Sequence, residues 1–325
     1  MNSINPFGSK PLWLALVCLI TLAGSSFAAD VVINAKLEAP RADSWVYKVE
    51  TPRAGEAEVV KRCSTILEKS GYKAISRDMM KPVEDRLAMY GKEIEVSMNK
   101  NGTEFFYSNF PALKLTGKTG RLRTDEEAVK LSLAHLKKTG LMPRNEGELK
   151  VGHVGGIMQM LSNARAPEKK AQVVYFYREL DGLKVRNFGS SITVTLAESE
   201  IPAGLQYHWR EVASREKVAS RSFLSADRIN SLIREDVNRV FAKDAKVTID
   251  KIELVLYDNG GTYIQPAYCY QGISKGGGKG VVDMPVLGYV QAMEKTYEPI
   301  HHPAFSPDMK KPVLRRVKPR HDKDE

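Results

Sequence analysis

Ser274 lies within Gly272-Ile273-Ser274-Lys275-Gly276, a G-x-S-x-G segment. Asp283 and His301 follow it in the order serine, acid, histidine of an α/β-hydrolase. Such a nucleophile needs a strained turn between a strand and a helix, so that its hydroxyl and the oxyanion donors converge. Here a strand-like run precedes Ser274, but Gly276-Gly277-Gly278-Lys279-Gly280 follows, and then a second strand-like run. Asp283 comes too soon after Ser274 for any α/β unit to intervene. The spacing reads as a glycine-rich hairpin loop, with a Ser274 hydrolase as the alternative.

Other chemical signatures are weaker. Gly117-Lys118-Thr119 matches the end of a phosphate-binding loop, but Ala112 stands where its leading glycine belongs. Lys275 and Lys279 flank the triple glycine and attract anions, yet glycines lose much entropy on ordering, so a surface loop is the simpler reading. His301-His302 has no Cys or acidic residue at ligand spacing, and adjacent side chains do not readily face one metal. His135 falls in a helical pattern and His208 in a strand pattern; both read as structural. Asn101-Gly102-Thr103 is a glycosylation sequon only in a host that glycosylates it. No catalytic residue, metal or cofactor is therefore expected.

The compartment is more legible. Lys10 is followed by an apolar run over 12–23, too short to span a bilayer comfortably, and then by Ser25-Ser26-Phe27-Ala28-Ala29. Small residues at Ser26 and Ala28 fit signal-peptide cleavage after Ala28, so the chain is expected to be secreted or periplasmic, with no transmembrane segment after cleavage. Val17 before Cys18, with apolar sequence beyond, fits a leader core better than a lipid attachment site. The mature chain then keeps Cys63 and Cys269, which either bridge the first and last folded units or are buried as separate thiols.

These residues must be positioned by a chain of 325 residues, 42% apolar and 27% charged, enough for two or three domains and too apolar for a disordered protein. Its 49 Lys plus Arg exceed 39 Asp plus Glu by ten, which favours acidic surfaces. Residues 55–71 and 124–140 align without gaps and share Glu58/Glu127, Val60/Val129, Lys61/Lys130, Leu67/Leu136, Lys69/Lys138 and Gly71/Gly140. Both read as helices, the second opened by a Thr124/Glu127 capping box and each closed by glycine. A third helix is predicted over 225–241, where Ile229, Leu232, Ile233, Val237 and Val240 recur at helical spacing.

Strands follow each helix. Residues 93–98 and 104–107 flank a turn at 99–102; 173–177 and 183–185 flank Asp181-Gly182; 192–196 alternate; 206–212 close a meander. In the third unit, 252–257 and 263–270 flank Asp258-Asn259-Gly260-Gly261, and 285–293 supplies another strand. Tight turns imply antiparallel pairing. The expected fold is α+β: tandem units of one helix on an antiparallel sheet, at 29–120, 121–215 and 216–297. A basic tail over 298–325, expected to be disordered, follows the predicted leader of 1–28 and these three units. Residues 310–325 hold Lys and Arg in excess of acids but no aromatics for base stacking, so nucleic acid is not an expected partner.

The run VVYFYRELDGLKVRNFGSSITVTL from Val173, closed by GLQYHWREV, resembles PepSY and FTP-like modules, which occur in propeptides of thermolysin-type proteases and in extracytoplasmic regulators. The segments IELVLYD and YIQPAYCYQG look like the strand pair of related regulators. The resemblance implies a PepSY/cystatin-like fold and a non-catalytic chain that inhibits, chaperones or senses a protein partner, a protease or an envelope component. With no H-E-x-x-H anywhere, any action on a protease is in trans. Strand addition at an open sheet edge is a fitting mode of contact. The expected contact region is Tyr263 to Gly280, an aromatic strand leading into a cationic loop, with Tyr263, Tyr268, Tyr270, Lys275 and Lys279 as its contact residues. A structural envelope protein with weak anionic contacts through the basic tail is the remaining alternative.

Overall fold

In the computed structural model, residues 29–40, 44–113, 120–160, 166–187, 189–241, 245–275 and 282–301 are described. The predicted leader, Lys279, His302 and the tail beyond it, and the Gly117-Lys118-Thr119 motif lie outside them. In chain order the elements are β1 (Asp30–Ile33), β2 (Ser44–Val49), α1 (Glu56–Lys69), β3 (Lys81–Val83), β4 (Arg86–Tyr90), β5 (Ile94–Asn99) and β6 (Glu104–Asn109). There follow α2 (Asp125–Thr139), β7 (Leu149–Gln159), β8 (Glu168–Leu180), β9 (Leu183–Arg186), β10 (Ser191–Leu196), β11 (Gly204–His208) and β12 (Val212–Val218). The last are α3 (Ala226–Val240), β13 (Lys246–Asp258), β14 (Tyr263–Lys275) and β15 (Met284–Gln291).

Local signals place the helices and turns. Thr124 Oγ1 accepts from the Glu127 N–H while Glu127 Oε2 accepts from the Thr124 N–H, and Gly140 closes α2 at φ 75°. Ser225 caps α3 by accepting from the Arg228 N–H. Asp181 and Gly182 have φ of 46° and 76°, the two left-handed residues of a type I′ turn. In the β5–β6 turn, Asn99 Oδ1 accepts from the Thr103 and Glu104 N–H groups, tying the loop to the strand that precedes it.

The expectation of three tandem helix-on-sheet units is overturned. The described strands form one mixed sheet network of fifteen strands, with three helices laid on it. Each expected unit leaves strand edges unpaired, and those edges are satisfied by strands from the other units. β11 pairs with β6, merging the first two units into one sheet ordered β3-β4-β5-β6-β11-β10-β8-β7. Both α1 and α2 cover the same face of it, with Leu67 and Leu136, paired in the sequence repeat, fully buried in one core. β1 and β2 precede α1 yet belong to the other half: β1 runs parallel to β13, and β2 lies between β12 and β14. The β8–β9 hairpin crosses between halves, because β9 pairs with both β8 and, in parallel, β13. Its Leu180, Leu183 and Val185 enter the second core, under α3.

The junction is polar and buried. Arg178, fully buried on β8, donates through Nε to Glu148 (2.8 Å) and through Nη1 to the Arg210 carbonyl (2.7 Å), and its guanidinium lies 4.7 Å from the Trp209 ring centroid. Arg210 reaches across to the other half, donating to Asp258 and to the Gly260 and Gly261 carbonyls. Asp258 also accepts from Ser190 Oγ (3.0 Å) and the Gly260 N–H (2.9 Å). A Cβ on Gly189 would overlap the Asp258 carboxylate, so glycine is required there.

Cys63 is a free buried thiol in the core under α1 and α2; Cys269 is a free buried thiol in a separate cluster on β14. The bridge weighed from sequence is not formed, because the two cysteines belong to different cores. Burial pushes the Cys63 thiol up to about 12.

Asp258→Ala leaves Arg210 buried without its carboxylate and is expected to cost about 3–5 kcal/mol in urea unfolding. Arg215→Ala, which breaks the exposed Arg215–Asp181 pair, should cost less than about 1 kcal/mol. Equal costs would show that the junction pair is not special. At the α1–α2 contact, His135 Nε2 lies 3.4 Å from Ser70 Oγ and 3.3 Å from the Tyr107 hydroxyl. Burial, aided by Lys138, holds its imidazole down to about 4. The folded ring therefore stays neutral while the unfolded one takes up a proton near its ordinary value of 6.5. The stability it contributes is complete above that value and is lost as pH falls toward 4, a loss of up to about 3 kcal/mol. His135→Gln should flatten this acid slope in urea unfolding; an unchanged slope would assign the loss to other groups.

Candidate functional site

Alternation along β13, β14 and β15 sends one set of side chains toward α3 and the other to the opposite, outer face. Val247, Tyr268, Tyr270 and Val286 belong to the inner set and sit in the core. On the outer face, register aligns Val32, Thr248, Ile273 and Pro285 in one row across β1, β13, β14 and β15. Val32 and Ile273 are each 45% exposed, and Leu287, in the next outward row, is 42% exposed. Together they make an apolar stripe that crosses four strands.

Charges of both signs rim the stripe. On one side Asp30, Lys246 and Lys275 share a row; on the other, Lys251 pairs with Glu253 at 2.5 Å, and Arg186 reaches the same carboxylate at 3.0 Å. The rest of the outer face is covered. Residues 294–301 turn back over it, Ile300 packing on the cluster of Val255, Tyr257, Ala267, Cys269 and Tyr289. That strap is fastened by Gln265 Nε2 donating to the Glu298 carbonyl (2.6 Å) and by the Thr262 N–H donating to Glu298 Oε1 (2.7 Å).

The residues expected at the contact region are divided by this geometry. Tyr268 and Tyr270 are fully buried and do not form a binding surface: their hydroxyls donate to the Glu38 carbonyl (2.8 Å) and to Asp236 Oδ2 (2.6 Å). Burial pushes the Tyr268 hydroxyl up to about 12, and burial with Asp236 raises that of Tyr270 further. Alternation explains the error, since both tyrosines share the inward parity. Tyr263 is half-buried with its ring 5.2 Å from that of Tyr297. Lys275 is exposed at the end of β14, beside the stripe. Ser274 is buried one residue before the end of β14, in the ladder between Val247 and Met284. Asp283 is exposed, and the backbone N–H of His301 donates to the Tyr257 hydroxyl at the far end of the sheet. Val32, Pro285 and Leu287 were missed because their alignment is a matter of register between distant segments; only the outward parity of Ile273 was visible in the sequence.

A second feature is a polar cleft of about 240 Å³ at the junction, lined by Asn99, Glu104, Gly189, His208, Arg210 and Gly260 among others. Its charges are matched internally, Glu104 accepting from Arg86 Nη2 (2.8 Å) and Arg210 engaging Asp258. His208 Nδ1 is 3.9 Å from Glu104 Oε2. Burial lowers the imidazole from its ordinary value against the opposing pull of Glu104. Among the described residues no group of three or more His, Cys, Asp or Glu could hold a metal ion. No described helix is long and apolar enough to cross a membrane.

No protein-family model matches the chain. No curated protein matches it either. The solved structure of an uncharacterized protein from Eubacterium rectale ATCC 33656 aligns over 84% of this chain and 91% of its own, at 11% identity and a TM-score of 0.43.

Proposed function

We propose that this chain is an exported, non-catalytic binding protein that engages a protein partner through the outer face of β1, β13, β14 and β15. The observation that carries the reading is the exposed row Val32–Thr248–Ile273–Pro285 with Leu287 beside it. An apolar centre within a rim of mixed charge is the composition of a protein interface, whereas a phosphate or lipid surface calls for a rim of one sign. The partner that fits is a folded extracytoplasmic protein presenting an apolar patch bordered by both acidic and basic side chains. The leader-like N-terminal sequence supports export, and the resemblance of 173–212 to modules of extracytoplasmic regulators supports regulation of that partner.

The test is crosslinking capture from the extracytoplasmic fraction, followed by titration of the purified captured protein. Ile273→Asp with Leu287→Asp places two charges in the stripe at exposed positions and should weaken binding at least about tenfold, or about 1.4 kcal/mol. It should shift unfolding stability by no more than about 0.5 kcal/mol. Tyr90→Asp, an exposed change on β4, should leave affinity unaltered. Full affinity in the double variant, or no saturable partner at all, would overturn the reading.

A further inference from the structure

Among the described residues, β7 is an edge strand of eleven residues paired only with β8. Its free backbone donors and acceptors form a template for another strand, and proteins usually blunt such edges with proline, charge or shortness. The other edges show those devices. β3 is three residues with Pro82 at its centre, β12 carries Arg215, Glu216 and Lys217, and β15 begins at Met284-Pro285. β7, by contrast, reads LKVGHVGGIMQ, with one lysine, no acid and no proline. It also leaves Val151 46% and Met158 53% exposed, with Met160 just beyond at 65%.

We infer that β7 pairs with β7 of a second copy of this chain, antiparallel, about a two-fold axis at Gly155. The sequence of the strand is complementary to itself in that register. Val154, on the helix-covered face, falls opposite Gly156, beside which the aliphatic stem of Lys169 lies. His153, which stacks on Tyr175 on the other face, falls opposite Ile157. The ladder to β8 has two irregularities: at Ile157/Met158 the extra residue is on β8, while at Val151/His153 it is Gly152 on β7 itself, and that bulge falls opposite Met158, so that Val151 meets Met158 on the helix-covered face. Lys150 then lies opposite Gln159 and Leu149 opposite Met160, with no like charges facing. The three exposed apolar side chains are thereby covered, each by a residue of the other copy.

The surface beside the strand agrees with this pairing. A groove of about 450 Å³ runs between α2 and β7, lined by Asp125, Glu126, Val129, Lys130, Leu133 and Val154. The two-fold joins the grooves of the two copies and runs their α2 helices antiparallel. Acidic residues at the start of one helix then face the Lys130 region of the other, a complementary arrangement. This inference concerns the opposite half of the molecule from the partner stripe and does not depend on it.

Analytical ultracentrifugation of the purified protein tests it, together with oxidation of a Gly155→Cys variant. A Cβ at Gly155 makes only ordinary contacts, 3.6 Å to the His153 ring and 3.9 Å to the Val173 carbonyl, so the fold tolerates the change. The protein should sediment at twice the mass of a single mature chain. Gly155→Asp, which sets two carboxylates against each other on the axis, should raise the dimer dissociation constant at least about tenfold. Gly155→Cys should form a disulfide-linked dimer on mild oxidation, while Ile273→Cys, exposed on the other half, should not. A monomer at about 100 µM, a dimer indifferent to Gly155→Asp, or crosslinking no faster at Gly155→Cys than at Ile273→Cys would each overturn it.

Discussion

Arg210 and Asp258 meet where two sheets that bury separate hydrophobic cores are joined, and both are removed from solvent. A buried ion pair contributes little net stability over an apolar contact of the same size, but losing either member leaves an uncompensated charge. The pair therefore acts as a constraint on geometry. Asp258 also accepts from Ser190 and Gly260, and Arg210 spends its remaining donors on the Gly260 and Gly261 carbonyls, so the β13–β14 turn is held by the same contact. Arg178 extends the network backward, holding the Arg210 carbonyl and Glu148. With those distances fixed, the β8–β9 hairpin has one place to go, and its apolar tip enters the core beneath α3.

This junction accounts for the open surfaces that remain. Two helices cover one face of the β3–β8 half, and α3 covers one face of the other half. The reverse faces receive only partial cover, the strap at 294–301 being the clearest case. The strap shields the apolar residues nearest the Asp258 turn, where the sheet is anchored, and stops short of the far end. There Val32, Ile273 and Leu287 stay nearly half exposed, although burying the remainder of each is worth about 1 kcal/mol. Patches of this kind on a folded surface mark contact sites.

Much of the local structure was legible in the sequence. The three helices lie within a residue or two of their predicted limits, since capping by Thr124 and Ser225 and a left-handed glycine such as Gly140 act over a single turn of chain. The turns at Asp181-Gly182 and at 258–261 were equally plain. The assembly was not, because strand pairing such as Gly204↔Ser108 or Val32↔Thr248 joins segments far apart, and nothing local distinguishes one edge from another. β1 and β2 went unread for the same reason: four or six residues become strands only when a distant edge accepts them. Of the candidate surface, Ile273 and Lys275 lie within the expected span Tyr263 to Gly280, whereas Tyr268 and Tyr270 do not reach the surface because their parity along β14 points them inward.

Parity also explains how one strand serves two purposes. Along β14 the inward residues Tyr268 and Tyr270 carry polar ends that are satisfied at depth by the Glu38 carbonyl and Asp236, which lets large side chains fill the core without stranding a hydroxyl. The outward residues grade from Ala267 and Cys269, small and covered by the strap, through Gln271 to Ile273 and Lys275, bare. A protein needing only stability gains nothing from the bare end, where a polar residue at Ile273 would meet water at no cost. An apolar side chain placed there, in line with Val32 on β1 and Pro285 on β15, makes physical sense as the centre of a contact, and the fixed register of the ladder keeps that line intact.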